Sequence, residues 1–315
     1  MTPANRPVES QAIGIGLLSF TAWGLFPIYW WFLRDLAPLE LLAHRFIWSF
    51  VFYLVVCLWF FRRGGLPRRA PSFRDWLGAT LATSILAMNW GLYIYAVNSG
   101  RVLESSLAYF LNPLLNVGVG VLFFRESFPW ALRVAVLLAA LGIATQLIGA
   151  SDVPWISLVL ACTFCAYGIV KKVMPVEPML GSLMEGAVGF VPGLVAAVVL
   201  REQSSVEQLT ALHWALFAGS GVVSGIPLML FAYAAQRLPY SLLGVLQFVA
   251  PSLQFMVGWL IFHESLTPTR LIAFSLVWAG VAFYLTDRLY RLRTEQLRGP
   301  APPLLSKVPL GKDLP

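Results

Sequence analysis

The chain has 315 residues, of which 58% are hydrophobic and 12% charged, with a mean hydropathy of +0.75 and a net charge of +7. A soluble domain carries roughly 25% charged residues, so a water-soluble enzyme or binding module is excluded. A basic balance also suits nucleic-acid binders, but the charges here sit in loops on one side of apolar spans, which removes that class and leaves anionic lipid heads as their partner.

About 20 apolar residues cross a bilayer, and backbone in lipid must be helical or a closed barrel. The runs here are continuously apolar rather than alternating, which selects helices. In chain order the predicted spans are 11–30, 39–61, 77–97, 103–124, 130–149, 153–170, 179–200, 211–235, 240–262 and 269–286. The first holds Trp23, Pro27 and Tyr29; its Gly14-Ile-Gly16 opens a membrane helix and follows no strand, so it is no nucleotide loop. The second carries His44 and Arg45, and the third Asn89, Trp90 and Tyr93. In the fourth, Tyr109 and Asn112 precede Pro113. Glu126 precedes the fifth span and Glu264 the tenth, where each is expected to cap the helix that follows. Cys162 and Cys165 in the sixth span have redox-motif spacing but lie on an apolar helix; with Cys57 they read as small buried thiols. Glu185 lies in the seventh. Gly189 and Gly193, and Gly221 and Gly225 in the eighth, allow close helix packing. Gln247, Pro251 and Gln254 belong to the ninth. The tail from about Asp287 is basic and then Pro-rich, and is expected to be disordered. No metal-ligand spacing, Walker motif or catalytic triad is present, so no cofactor or metal is expected.

The chain is built twice. AYFLNPLLNVGVGVLFFRES (108–127) returns 138 residues later as LQFVAPSLQFMVGWLIFHES (246–265), setting Pro113 on Pro251 and Glu126 on Glu264. With a cytoplasmic N-terminus, 17 Lys and Arg fall inside, among them Lys171 and Lys172, against 4 outside: Arg34, Arg101, Arg201 and Arg270. That bias places both termini in the cytoplasm. Five spans per half make the halves inverted. The expected fold is therefore an all-α polytopic membrane protein of ten transmembrane helices in two inverted five-helix repeats, 1–150 and 151–287, with a tail at 288–315. Inverted repeats rocking about a shared site are a transporter architecture.

The strings ELLAHR (40–45), NWGLYIYAVN (89–98) and LQFVAPSLQF (246–255) resemble the RarD branch of the EamA-type drug/metabolite transporter superfamily, over the whole chain to about Asp287. The resemblance implies a ten-helix bundle with a central cavity in the inner (plasma) membrane, and export of amino-acid-like metabolites or drugs.

Charges inside a membrane face a cavity or one another. Arg45 and Glu185 lie about six residues into repeat-related spans, after Pro38 and Pro178, and are expected to line opposite sides of the pathway, with Arg45 on an anionic group. The aromatic and amide candidates are Trp23, Tyr29, Asn89, Trp90, Tyr93, Tyr109, Asn112, Gln247 and Gln254, with His44 beside Arg45. Such a lining suits a planar or zwitterionic small molecule. Trp30, Trp31, Trp130 and Trp155 read instead as interface anchors. The reading is a secondary transporter, an exporter, working by alternating access. An uncoupled channel or facilitator is the alternative; a membrane enzyme lacks the clustered His, Asp or Glu it needs. A small-molecule substrate and the bilayer are the expected partners, while a coupling proton and a homodimer stay open.

Overall fold

In the computed structural model residues 6–34, 36–63, 65, 70–99, 102–147, 155–200, 210–263 and 267–297 are described. They form helices α1 (Arg6–Trp31), α2 (Pro38–Arg62), α3 (Phe73–Asn98), α4 (Val102–Leu122), α5 (Trp130–Leu147), α6 (Trp155–Val173), α7 (Pro178–Val199), α8 (Ala211–Arg237), α9 (Tyr240–Gln247), α10 (Val249–Leu260) and α11 (Pro268–Leu297). Among the described residues there is no strand. Among the described residues seven helical stretches, with Tyr240–Leu260 counted as one, are long and apolar enough to cross a membrane.

Each expected span holds helix, and the differences have local causes. The ninth divides at Phe248. Pro251 has no N–H for the Gln247 carbonyl four residues back, so the helical ladder breaks there. α11 runs past the expected end to Leu297, tied down where Arg288 pairs with Glu9 at 2.6 Å and Arg291 with Asp287 at 2.8 Å. The helical part of the tail thus corrects the expectation of disorder from 288; residues 298–315 lie outside the described residues, as does Glu264.

The helices pack small residues of α7 and α8 against α2, and α2 and α7 also present large apolar residues outward. Gly189 and Gly193 of α7 lie on Phe46 and Ala43 of α2. Gly221 and Gly225 of α8 lie on the backbone of Trp48 and Ser49 and on the ring of Phe52. Without a hydrophobic drive between helices in lipid, such close approach supplies the packing. Val55, Leu58 and Phe61 on α2 and Val191, Val195 and Val198 on α7 are exposed. Apolar outer faces of this kind belong against lipid chains. Of the cysteines only Cys165 is buried; Cys162 is exposed and Cys57 intermediate.

Two ends of the bundle can be told apart. At one, the Tyr29 hydroxyl donates to the Leu216 carbonyl, Trp31 stacks on Phe262, and Tyr95 meets Trp155. At the other, α9 starts beside the α4–α5 turn and α8 ends beside α6.

Candidate functional site

A cavity of about 500 Å³ lies between α1, α2, α3, α4, α6, α8, α9 and α10. Arg34, Leu36 and Pro38 of the α1–α2 turn stand at its mouth, so it opens at the first end. Its floor is aromatic. Phe20 and Phe164 line it, and Trp23, Phe164 and Phe231 pack with ring centroids 5.5–5.8 Å apart. Below them Tyr167 is stacked on Phe231 and has no exposed surface.

Proline places the polar lining. Pro27, Pro113 and Pro251 each leave unbonded the carbonyl four residues earlier, and those residues are Trp23, Tyr109 and Gln247, all on the cavity wall. A bare carbonyl in a membrane needs a donor. Gln254 gives one: its Nε2 donates to the Trp23 carbonyl at 3.2 Å. Gln247 is held from α4, where the Asn116 amide donates to its Oε1 at 2.6 Å. Asn89 donates to the Leu160 carbonyl and to the Thr163 hydroxyl, both at 2.8 Å. Asn112 donates to the Ala161 carbonyl at 3.4 Å, while its Oδ1 is buried without a partner. Among the described residues that oxygen has no donor.

Arg45 is the centre of the charge distribution. Its guanidinium carbon sits 3.8 Å from the centroid of Trp90 and 5.0 Å from that of Trp30, and Nε donates to the Ser224 hydroxyl at 3.1 Å. Tyr93 and Tyr109 line the same wall. Among the described residues no carboxylate pairs with Arg45. Two indole faces hold the cation in place, each contributing about 0.5–2 kcal/mol, and leave its terminal nitrogens for an oxyanion.

Nine of the twelve residues singled out in the sequence thus line one cavity: Trp23, Arg45, Asn89, Trp90, Tyr93, Tyr109, Asn112, Gln247 and Gln254. Three stand elsewhere. Tyr29 spends its hydroxyl on Leu216. His44, one residue from Arg45, is turned about 100° around the helix and stacks on Phe217 at 3.9 Å. Glu185 is buried outside the cavity and bound to Lys171 at 2.5 Å; Arg45 is not its partner. Lys171, expected in a loop, is 1% exposed in the last turn of α6. Trp30, expected as an interface anchor, lines the cavity and holds Arg45. Trp31, Trp130 and Trp155 are exposed. Arg34 and Asn116 went unnoticed. Asn116 was within reach of the pattern, since it lies one helical turn from Asn112, and Gln254 is its counterpart at the 138-residue offset.

The end opposite the mouth is closed by polar contacts. The Glu126 carboxylate accepts from the Tyr240 and Ser241 amides and from the Ser241 hydroxyl, at 2.6–2.8 Å. It therefore caps α9 rather than the helix that follows it in sequence. Lys172 donates to the Leu238 carbonyl at 2.6 Å, and Gln236 to that of Val176 at 2.8 Å.

A lipid-faced helical bundle with a half-open polar and aromatic cavity is the architecture of a membrane transporter. The EamA-like transporter family model matches residues 10–147 and again 153–286. The chain is 40% identical over 301 residues to Protein RarD of Streptomyces exfoliatus, covering 95% of each. It is 36% identical to the uncharacterized transporter YojE of Bacillus subtilis, covering 85% of this chain and 91% of that one, and 32% identical to Protein RarD of Escherichia coli, covering 90% and 96%. A crystal structure at 19% identity superposes with a TM-score of 0.68 over 87% of this chain and 97% of the other, a likeness of fold. The protein belongs to the EamA-like transporter family and is a multi-pass membrane transporter.

Proposed function

We propose that the chain is a secondary transporter that exports a small amphipathic solute carrying an anionic group, with amino-acid-like metabolites as the favoured class. The observation that carries this is Arg45: a cation held over two indoles in a cavity, with no carboxylate among the described residues paired to it. The Trp90, Tyr93 and Tyr109 rings would take the apolar body of the same solute.

Alternating access in the inner membrane is the mechanism, in ten spans with both termini cytoplasmic. The halves 1–150 and 151–287 are read as inverted repeats. Support comes from the double family match and from the pairing of helices: α2 packs on α7, α4 on α9, and α5 on α11, each a helix with its counterpart. The end that carries Arg62, Arg63, Arg74, Arg125, Arg133 and Arg237 is then cytoplasmic. The mouth beside Arg34 faces outward, and the described conformation is open to the outside. Reporter fusions after Asp287 and within 62–74 are expected to read cytoplasmic; an external signal from either sinks this topology.

Reconstituted vesicles test the function. Vesicles loaded with an amphipathic carboxylate that raises the thermal stability of the purified protein should show counterflow of labelled solute that saturates. Flux linear in concentration, without counterflow, would favour the uncoupled channel.

A further inference from the structure

The Glu185 cluster takes no part in the cavity, yet it is a buried ion pair within the described helices. Glu185 is 8% exposed and Lys171 1%. Lys171 Nζ lies 2.5 Å from Oε1, and the Tyr167 hydroxyl donates to Oε2 at 3.1 Å. Thr83 of α3 donates to the Glu185 carbonyl at 3.2 Å. From α2, buried Tyr53 faces the same group and donates to the Gly225 carbonyl of α8 at 3.0 Å. Other titratable groups on the packed elements stand apart. Cys57 of α2 contacts the Met179 carbonyl, and Asp75 of α3 is bound by Ser72. Glu126 is engaged by α9, and Lys172 by the end of α8.

As packing alone this is a poor choice. Two ions taken out of water are replaced by apolar side chains at no loss of stability, whereas one ion left alone is strongly unfavourable. An ionisable pair inside a membrane marks a pathway or a relay. Its place is telling: it joins α6 to α7 at the closed end, below the aromatic floor. Arg45 stands at the related place on α2, hydrogen-bonded to α8 as Glu185 is to α3.

We propose that Glu185 and Lys171 form a proton-binding site whose occupancy opens the cytoplasmic end of the bundle, an inference that rests on the transporter reading above. A proton from the cytoplasmic side adds to the Glu185 carboxylate and makes a neutral acid. No other bond changes. Lys171 then keeps its charge without a counter-ion in a buried position, and it is relieved when the α6–α7 end moves away from the α4–α5 turn and admits water. One proton enters with each opening of that end, which ties proton binding to the conformational cycle.

The test uses the full chain in lipid vesicles. Cys57, Cys162 and Cys165 are replaced by alanine, and spin labels are attached through Ser127→Cys and Val173→Cys, both exposed at the closed end. Distance distributions are recorded in alkaline and in acidic buffer. The parent should gain a longer-distance population in acid. Glu185→Gln, a stand-in for the protonated acid, should show it at both pH values. The double variant Lys171→Gln with Glu185→Gln, which leaves no lone charge, should lose the pH response. It remains informative if the single variant fails to fold. A parent insensitive to pH overturns the proposal, and so does a pH response retained by either variant, which would place the response on another group. No solute enters this assay, so a negative result leaves the Arg45 reading intact.

Discussion

Arg45→Ala is expected to remove saturable uptake while the protein still accumulates in the membrane. Hydrogen bonds to a charged group contribute about 1.5–3 kcal/mol, and each 1.4 kcal/mol is tenfold in affinity. Loss of the fork should therefore weaken binding roughly 10- to 150-fold. The structural cost comes from one protein hydroxyl, Ser224, and two indole faces, and membrane abundance reads it separately from binding. Arg45→Lys keeps the charge but not the planar fork, so it should fall between parent and alanine. The measurement is binding by thermal shift beside uptake, each normalised to membrane abundance. Parental uptake by Arg45→Ala would remove the residue from the site. Failure to accumulate, with uptake normal per molecule, would make it a packing residue.

Why Arg45 could be found from the sequence and Glu185 misjudged is instructive. Both are charges within apolar runs, and that pattern reveals burial without revealing the partner. Arg45 has aromatic neighbours from α1 and α3, and Glu185 a lysine 14 residues earlier. Lys171 was hidden because it ends an apolar run, where positive charges ordinarily belong to the interface. The spans themselves were readable, since lipid demands helix and the runs are long. The split at Phe248 followed from Pro251 only once the neighbouring backbone was seen. The cavity's amides were readable as polar residues in spans, and the repeat tied Asn116 to Gln254. Their hydrogen bonds were not, because each crosses between distant helices: Asn116 to Gln247, Gln254 to Trp23. Glu126 shows the same limit. Its place at the start of a helix suggested a local cap, while its carboxylate reaches 114 residues along the chain to Tyr240.

That reach makes Glu126→Ala the second large effect. The carboxylate satisfies two backbone donors at the start of α9 and the Ser241 hydroxyl, in a half-buried position. Removing it leaves those donors without an acceptor, at about 2–4 kcal/mol in total once partial exposure is discounted. The melting temperature should fall by several degrees. The seal should loosen as well: Tyr240 donates to the Cys165 carbonyl at 2.7 Å and packs over that buried residue. With Cys57 and Cys162 replaced, Cys165 then becomes the sole thiol, and Glu126→Ala should speed its modification by an impermeant reagent from the cytoplasmic side. Glu126→Gln should be intermediate, since its amide oxygen still accepts while its nitrogen faces donors. Gly120→Ala probes the same contact with the carboxylate retained. A methyl there would lie 2.7 Å from Glu126 Oε2 and 2.5 Å from the Ser241 nitrogen, forcing the two apart. Its phenotype should match that of Glu126→Ala. If Glu126→Ala melts with the parent and Cys165 stays protected, the contact is incidental, and closure of that end rests on Lys172, Gln236 and the Lys171–Glu185 pair.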